Sequence, residues 1–214
     1  VERKQVKRNP LPPFTTSTLQ QEASRKLGFN ARRTMMIAQR LYEGIETGEG
    51  TVGLITYMRT DSVNLSAVAL DEAREFIAGR YGRDNLPAEA RVYKTSAKNA
   101  QEAHEGIRPT SIARTPDSLR QFLSDEQFRL YDLIWKRTVA CQMIPAVYDM
   151  VTVDLAPAKD AAVARLRSTG STLVVPGFIA VSQEGRDDAA DDDGDRVLPP
   201  LKEGDVVDLA GIRA

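Results

Sequence analysis

The chain has 214 residues, with 29 Lys and Arg against 30 Asp and Glu, one His, one Cys and one Trp. At ~100–200 residues per domain that length allows one large or two small domains with a real core. An apolar content of 42% against 28% charged residues excludes a disordered chain. No apolar run approaches the ~20 residues that span a bilayer, and no secretory leader is expected at the start. A single cysteine, Cys141, excludes an internal disulfide, and one histidine leaves no Cys/His zinc cluster, as expected of a protein in a reducing cytosol.

The net charge of −1 conceals an uneven distribution. Residues 1–114 carry 18 basic and 13 acidic side chains, whereas residues 183–208 carry three basic and ten acidic ones. An acidic stretch thus offsets a mildly basic front half, which fits either ordinary surface chemistry or an anionic partner.

In chain order, a polar, basic arm runs from Val1 to Pro13, and with no Met at its start the chain reads as a piece of a longer protein. Residues 15–145 read as mostly helical. Thr16-Ser17-Thr18 precedes a helix over Leu19 to Lys26, closed by Leu27-Gly28. Asn30 caps a second helix carrying Met35, Met36, Ala38, Leu41 and Tyr42. Arg32 and Arg33 in its first turn oppose the helix dipole, so either an external anion or solvent accounts for them. A Gly-rich loop over Gly44 to Gly53 leads into Leu54-Ile55-Thr56-Tyr57, which reads as a short buried strand. Ser66 caps a third helix with Ala73, Phe76 and Ile77 facing the core, and Thr115-Pro116 opens a further helical piece. Ser124 and Gln127 form a capping box for a long helix with Phe128, Tyr131, Ile134, Trp135 and Val139 at helical spacing.

After Pro145 the pattern turns to alternation. Val147, Val151, Val153 and Leu155 share one face of an expected strand, followed by Val163 to Arg167, Leu173 to Val175, Phe178 to Val181 and Val206 to Leu209. Short strands and short turns imply an antiparallel sheet or barrel, so the fold class is α+β. Asp191 to Asp195 reads as a flexible acidic loop rather than a metal cluster.

Four stretches carry candidate chemistry. In Thr56-Tyr57-Met58-Arg59-Thr60-Asp61-Ser62, a phenol and a guanidinium two residues apart could meet the same phosphate. A phenol with pKa ~10 serves as a nucleophile only beside a stabilising cation, and the planar fork of Arg matches two phosphate oxygens. The second stretch, Gln101 to Thr110, holds the only histidine, His104, between Glu102 and Glu105 and four residues before Arg108. The third, Pro13 to Gln20, is hydroxyl-rich, able to meet phosphate or to cap a helix. The fourth, Thr34 to Glu43, places Gln39 and Glu43 on one helical face at i, i+4.

Together these stretches, with Leu133-Ile134-Trp135 and Ala140-Cys141-Gln142-Met143, resemble the central part of bacterial type IA DNA topoisomerases. The resemblance covers most of residues 12–148 and continues more loosely to Leu209. Met58 favours the topoisomerase I branch over topoisomerase III, which usually has Pro there.

The resemblance implies that Tyr57 attacks one strand of DNA, leaving a 5′-phosphotyrosine and a free 3′-OH, and that Arg59 holds the scissile phosphate. Reclosure after strand passage would relax negative supercoils without ATP. His104 would lie near the DNA backbone, with Gln39, Glu43, Arg108, Thr56, Thr60 and Arg33 as DNA-contacting or supporting groups. Residues 12–145 would form a helical lid bearing the tyrosine. The arm 1–11 and residues 146–214 would belong to a β arch with its acidic loop near 183–196. Magnesium would be held by the family's Toprim domain, outside these residues, so that no metal is expected here and the chain alone would not relax DNA. The expected partners are single-stranded DNA and the remaining domains of the polypeptide, in a monomeric, cytoplasmic, nucleoid-associated enzyme with no membrane. The alternative is a single-stranded DNA-binding module without catalysis of its own. One histidine excludes the His-x-His metal pair of rolling-circle relaxases.

Overall fold

The structure, a computed structural model, describes residues 1–48, 50–93, 104–157, 166–182 and 197–208. The chain is an α+β protein of two units: one holds Val1–Arg8, Ala146–Pro176 and the described residues 197–208, the other Asn9–Pro145 and residues 177–182.

The helical unit begins with α1 (Thr16–Leu27). Its start lies three residues earlier than the sequence pattern suggests, because Thr15 and Thr18 cap each other reciprocally and draw the hydroxyl run into the first turn. Gly28 closes it at φ 70°, the left-handed conformation that glycine adopts without steric cost. Asn30 caps α2 (Ala31–Glu43) through its side-chain oxygen, and Ile37, Ala38 and Leu41 form the buried stripe. A short hairpin, β2 (Ile45–Thr47) and β3 (Gly50–Val52), then returns the chain toward the end of α2.

Leu54 and Ile55 are buried, but the strand expected over 54–57 is reduced to one bridge, Ile55 with Pro109. Thr56 N–H donates to the Arg108 carbonyl and Thr110 N–H to the Leu54 carbonyl. The ladder stops there because Arg108 N–H is taken by Thr56 Oγ1 and Leu54 N–H by the Leu41 carbonyl. Ser66 caps α3 (Ala67–Arg80) as expected. The short helix α4 (Pro116–Leu119) passes into a 3₁₀ turn, Arg120–Phe122.

The capping box of Ser124 and Gln127 opens α5 (Asp125–Ala140), the helix on which the core is assembled. Its Leu130, Tyr131, Ile134, Trp135 and Val139 are buried, each such side chain contributing about 1.5–3 kcal/mol relative to exposure. The polar ends are satisfied: Tyr131 Oη donates to the Arg114 carbonyl and Trp135 Nε1 to the Ile112 carbonyl. Glu22 of α1 accepts from Arg137 of α5 at 3.2 Å. Burial raises the Glu22 carboxyl, but the hydrogen bond from Arg25 and the charges of Arg137, Arg25 and Lys26 outweigh it and hold the pKa below the usual range.

The other unit is an antiparallel sheet of order β1-β4-β5, with β1 (Glu2–Arg8), β4 (Ala146–Leu155) and β5 (Leu166–Val175). Val147, Val151, Val153 and Leu155 share a face of β4, yet only Val153 of them is fully buried. Tyr148, on the opposite face, is buried with the Arg8 guanidinium 4.6 Å from its ring centre.

Among the described residues, two expected strands are not formed. Phe178 to Val181 instead enters a turn and a short helix, α6 (Ile179–Ser182). Gly177 has φ 50°, and a Cβ there would lie 2.4 Å from the Pro145 carbonyl oxygen, so the chain bends away from sheet geometry at this point. Val206 to Asp208 carry no strand and are exposed, and Leu209 lies outside the described residues. Residues 163–165 and the acidic loop, residues 183–196, also lie outside them.

Candidate active site

The segment around Tyr57 is held from both sides by threonines. On one side, Thr56 Oγ1 donates to the Gly106 carbonyl at 2.8 Å and accepts the Arg108 N–H at 3.0 Å. On the other, Thr16 Oγ1 donates to the Met58 carbonyl at 2.8 Å and accepts the Thr60 N–H at 2.9 Å. Thr16 N–H also donates to the Thr60 carbonyl, and Ser62 N–H to Thr60 Oγ1. Between these clamps Met58 is buried while Tyr57 and Arg59 reach solvent, Tyr57 with 49% of its surface exposed. Burial of Met58 and Thr60 anchors the chain and leaves the Tyr57 and Arg59 side chains outside it.

Arg59 opens onto a cleft of about 400 Å³ lined by Thr16, Ser17, Gln20, Arg59, Thr60, Asp61 and His104. Three of the four stretches singled out in the sequence meet here: the hydroxyl-rich start of α1, the segment after Tyr57 and the segment containing His104. Ser17, Gln20 and Asp61 are lining residues that the sequence did not single out individually. The cleft combines a permanent cation, an imidazole and hydroxyl donors with one carboxylate, a set suited to an anionic backbone rather than an apolar ligand.

The fourth stretch approaches Tyr57 itself. The Tyr42 ring, at the end of α2, meets the Tyr57 ring edge-on, with centroids 5.3 Å apart and planes at 62°. Gln39 Nε2 donates to Glu43 Oε1 at 2.6 Å across the same helical turn, the i, i+4 pair expected from the spacing. In the sequence Tyr42 looks like one more apolar position of an amphipathic helix; its pairing with Tyr57 depends on how the intervening hairpin folds back.

Arg108 is spoken for within the fold. Its Nε and Nη2 donate to Glu105 Oε2, at 3.1 and 2.7 Å, and its Nη1 to the Pro109 carbonyl. Glu105 Oε1 also accepts the Ser66 N–H at 2.6 Å, at the start of α3. Burial raises the Glu105 carboxyl, but the hydrogen bonds from Ser66 and Arg108 and the Arg108 charge prevail and hold its pKa below the usual range. This carboxylate ties the segment after His104 to the start of α3. Glu102 lies outside the described residues.

Arg33 needs no external anion: Glu126, in the first turn of α5, accepts from its Nε at 2.6 Å. Arg32 is exposed. Among the described residues no group of three or more His, Cys, Asp or Glu side chains could hold a metal ion, and no helix is long and apolar enough to cross a membrane.

A family model described as DNA topoisomerase matches residues 1–214. The chain belongs to the bacterial DNA topoisomerase family. DNA topoisomerase 1 of Xylella fastidiosa strain Temecula1 is 59% identical over 215 residues, covering 99% of this chain and 26% of the relative. DNA topoisomerase 1 of Rickettsia felis is 53% identical over 203 residues, covering 95% of this chain and 26% of the relative. Full-length topoisomerase I from Thermotoga maritima superposes with a TM-score of 0.79 at 37% identity, over 95% of this chain and 31% of that one. The resemblance drawn from the motifs is thus borne out, and the chain spans about a quarter of the length of the curated topoisomerases it matches.

Proposed function

We propose that these residues form the nucleophile-bearing part of a type IA DNA topoisomerase, with Tyr57 as the nucleophile. The observation that carries the reading is the exposed Tyr57–Arg59 pair, clamped by Thr56 and Thr60 beside a cleft that also holds His104. Tyr57 Oη attacks the phosphorus of a single-stranded segment. A bond forms from Oη to the 5′-phosphate as the bond to the 3′ oxygen breaks; the phenol gives up its proton and the departing oxygen gains one. The phosphotyrosine retains the energy of the broken diester, so resealing by the 3′-OH restores both the strand and the phenol, and the cycle relaxes negative supercoils without ATP.

Arg59 stabilises the charge that builds on the phosphate oxygens, where a positioned cation acts most strongly. His104, which lines the same cleft as Arg59, contacts the strand there. Thr56 and Thr60 fix the backbone on either side of the nucleophile. Arg108 acts through Glu105, and Gln39 with Glu43 through the end of α2. Arg33 braces α2 against α5.

Magnesium would supply charge neutralisation near the phosphate, with its ligands in a Toprim domain outside these residues. The helical unit is the lid bearing the tyrosine, and the sheet unit is part of the arch. The enzyme works as a monomer in the bacterial cytoplasm, on nucleoid DNA.

The test is a chimera in which these 214 residues replace the matched quarter of the Xylella fastidiosa enzyme. It is expected to relax supercoiled plasmid and to form a denaturant-resistant adduct with single-stranded DNA, both lost in Tyr57→Phe. The 214 residues alone are expected to bind single strands in a salt-sensitive manner and to relax nothing. An adduct that survives in Tyr57→Phe refutes the assignment; relaxation by the chain alone refutes its dependence on the remaining domains.

A further inference from the structure

We propose that Tyr42 is a positioning residue for Tyr57, its ring holding the phenol in the orientation from which it attacks; the inference rests on the reading of Tyr57 as nucleophile. Tyr57 is half exposed, so burial does little to choose among its staggered side-chain orientations. The Tyr42 ring supplies a restraint, an edge-on contact at 5.3 Å within the favourable range for aromatic pairs.

The contact is built in at the backbone level. Leu54 N–H donates to the Leu41 carbonyl at 2.7 Å, joining the last turn of α2 to the chain three residues before Tyr57. Gly53 makes that approach possible: a Cβ there would stand 2.7 Å from the Tyr42 carbonyl oxygen. Immediately before Tyr57, the Thr56 hydroxyl and N–H fix the backbone to the 106–108 segment, and after it Thr16 Oγ1 holds the Met58 carbonyl and the Thr60 N–H. Both rings therefore project from anchored backbone. Tyr42 is itself 41% exposed, more than a residue needed only for the core would be. Bimolecular attack at phosphorus is sensitive to the orientation of the nucleophile, and a loosened ring spends less time aligned.

The test uses the Xylella chimera with Tyr42→Phe, Tyr42→Leu and Tyr42→Ala, and reads two quantities: the single-turnover rate of adduct formation at saturating single-stranded oligonucleotide, and the oligonucleotide Kd. Tyr42→Phe keeps the ring edge and is expected to keep the parental rate. Tyr42→Leu and Tyr42→Ala are expected to slow adduct formation between about twofold and about tenfold, with Kd unchanged. Leu leaves an apolar side chain on the helix, so a deficit shared by both variants reports the lost ring contact. Parental rates in both variants overturn the proposal. So does a loss of affinity in proportion to the loss of rate, which makes Tyr42 a DNA contact, or a Tyr42→Phe as slow as Tyr42→Ala, which assigns the effect to the hydroxyl. Failure of the nucleophile assignment is seen separately, as an adduct that persists in Tyr57→Phe.

Discussion

Replacing Glu105 by Gln keeps the shape of the side chain but removes the charge that three donors share. In the native fold Oε1 takes the Ser66 N–H, and Oε2 takes Nε and Nη2 of Arg108. An amide has one acceptor oxygen, so it can keep Ser66 or Arg108 but not both, and its NH₂ then faces a donor. The loss is about one charge-assisted interaction, worth ~1.5–3 kcal/mol. The side chains of Arg108 and Glu105 are 15% and 26% exposed, so solvent offsets only part of it; about 2 kcal/mol is expected near neutral pH. The sign with pH follows from the depressed carboxyl pKa. A group whose pKa is lower folded than unfolded contributes fully above its unfolded value, ~4.3 for Glu, and loses that contribution as pH falls through the folded value. Urea unfolding of the parent chain and of Glu105→Gln, followed from pH 7 down to pH 3, should therefore give midpoints that converge below about pH 4. Equal midpoints at pH 7, or a gap that does not narrow in acid, would refute the tie assigned to this carboxylate.

Gly53→Ala is expected to cost about 1–3 kcal/mol, because its Cβ would press on the Tyr42 carbonyl and something must shift; the chemical-denaturation midpoint measures it. Tyr57→Phe should leave stability within about 0.5 kcal/mol of the parent, since Tyr57 is half exposed and its ring contact survives; a large loss would give the hydroxyl a structural role. Cys141 is fully buried, its thiol is pushed up to about 12 by burial, and it donates to the Thr138 carbonyl. A thiol reagent at pH 8 should therefore label it only after denaturation, and fast labelling of the folded chain would contradict the packing. Ser124→Ala removes the side-chain half of the capping box of α5 and should lower stability by ~1 kcal/mol, again read from the unfolding midpoint.

Local signals were the legible ones. Asn30, Ser66 and Ser124 cap where their side chains predict, since a cap is decided within four residues. Tyr131, Ile134, Trp135 and Val139 of the long helix are buried as their spacing requires, with Phe128 partly so. Thr15, by contrast, became visible as a cap only through its exchange with Thr18, and the hydroxyl run it opens could equally have preceded the helix. Short apolar runs misled for a physical reason: Phe178 to Val181 alternates no better as a strand than as a turn of helix, and the bend at Gly177 decides. At the site, Tyr57 and Arg59 lie so close in sequence that their shared exposure could be anticipated. The partners that complete the picture come from far along the chain. Arg33 finds Glu126 across 93 positions, and His104 lines the cleft with Arg59 through a segment whose residues 106–110 bond to residues 53–56. Tyr42 meets Tyr57 through a hairpin whose fold-back depends on one close glycine contact, which no helical periodicity encodes.

The most direct measurement is the chemical identity of the covalent link. The chimera is incubated with a single-stranded oligonucleotide, denatured and digested, and the nucleotide-bearing peptide is sequenced by mass spectrometry. The expected result is a single modified residue, Tyr57, joined to a 5′-phosphate with a free 3′-OH on the released fragment. Modification at any other residue, or attachment through a 3′-phosphate, would contradict the assignment of Tyr57 and the polarity of cleavage.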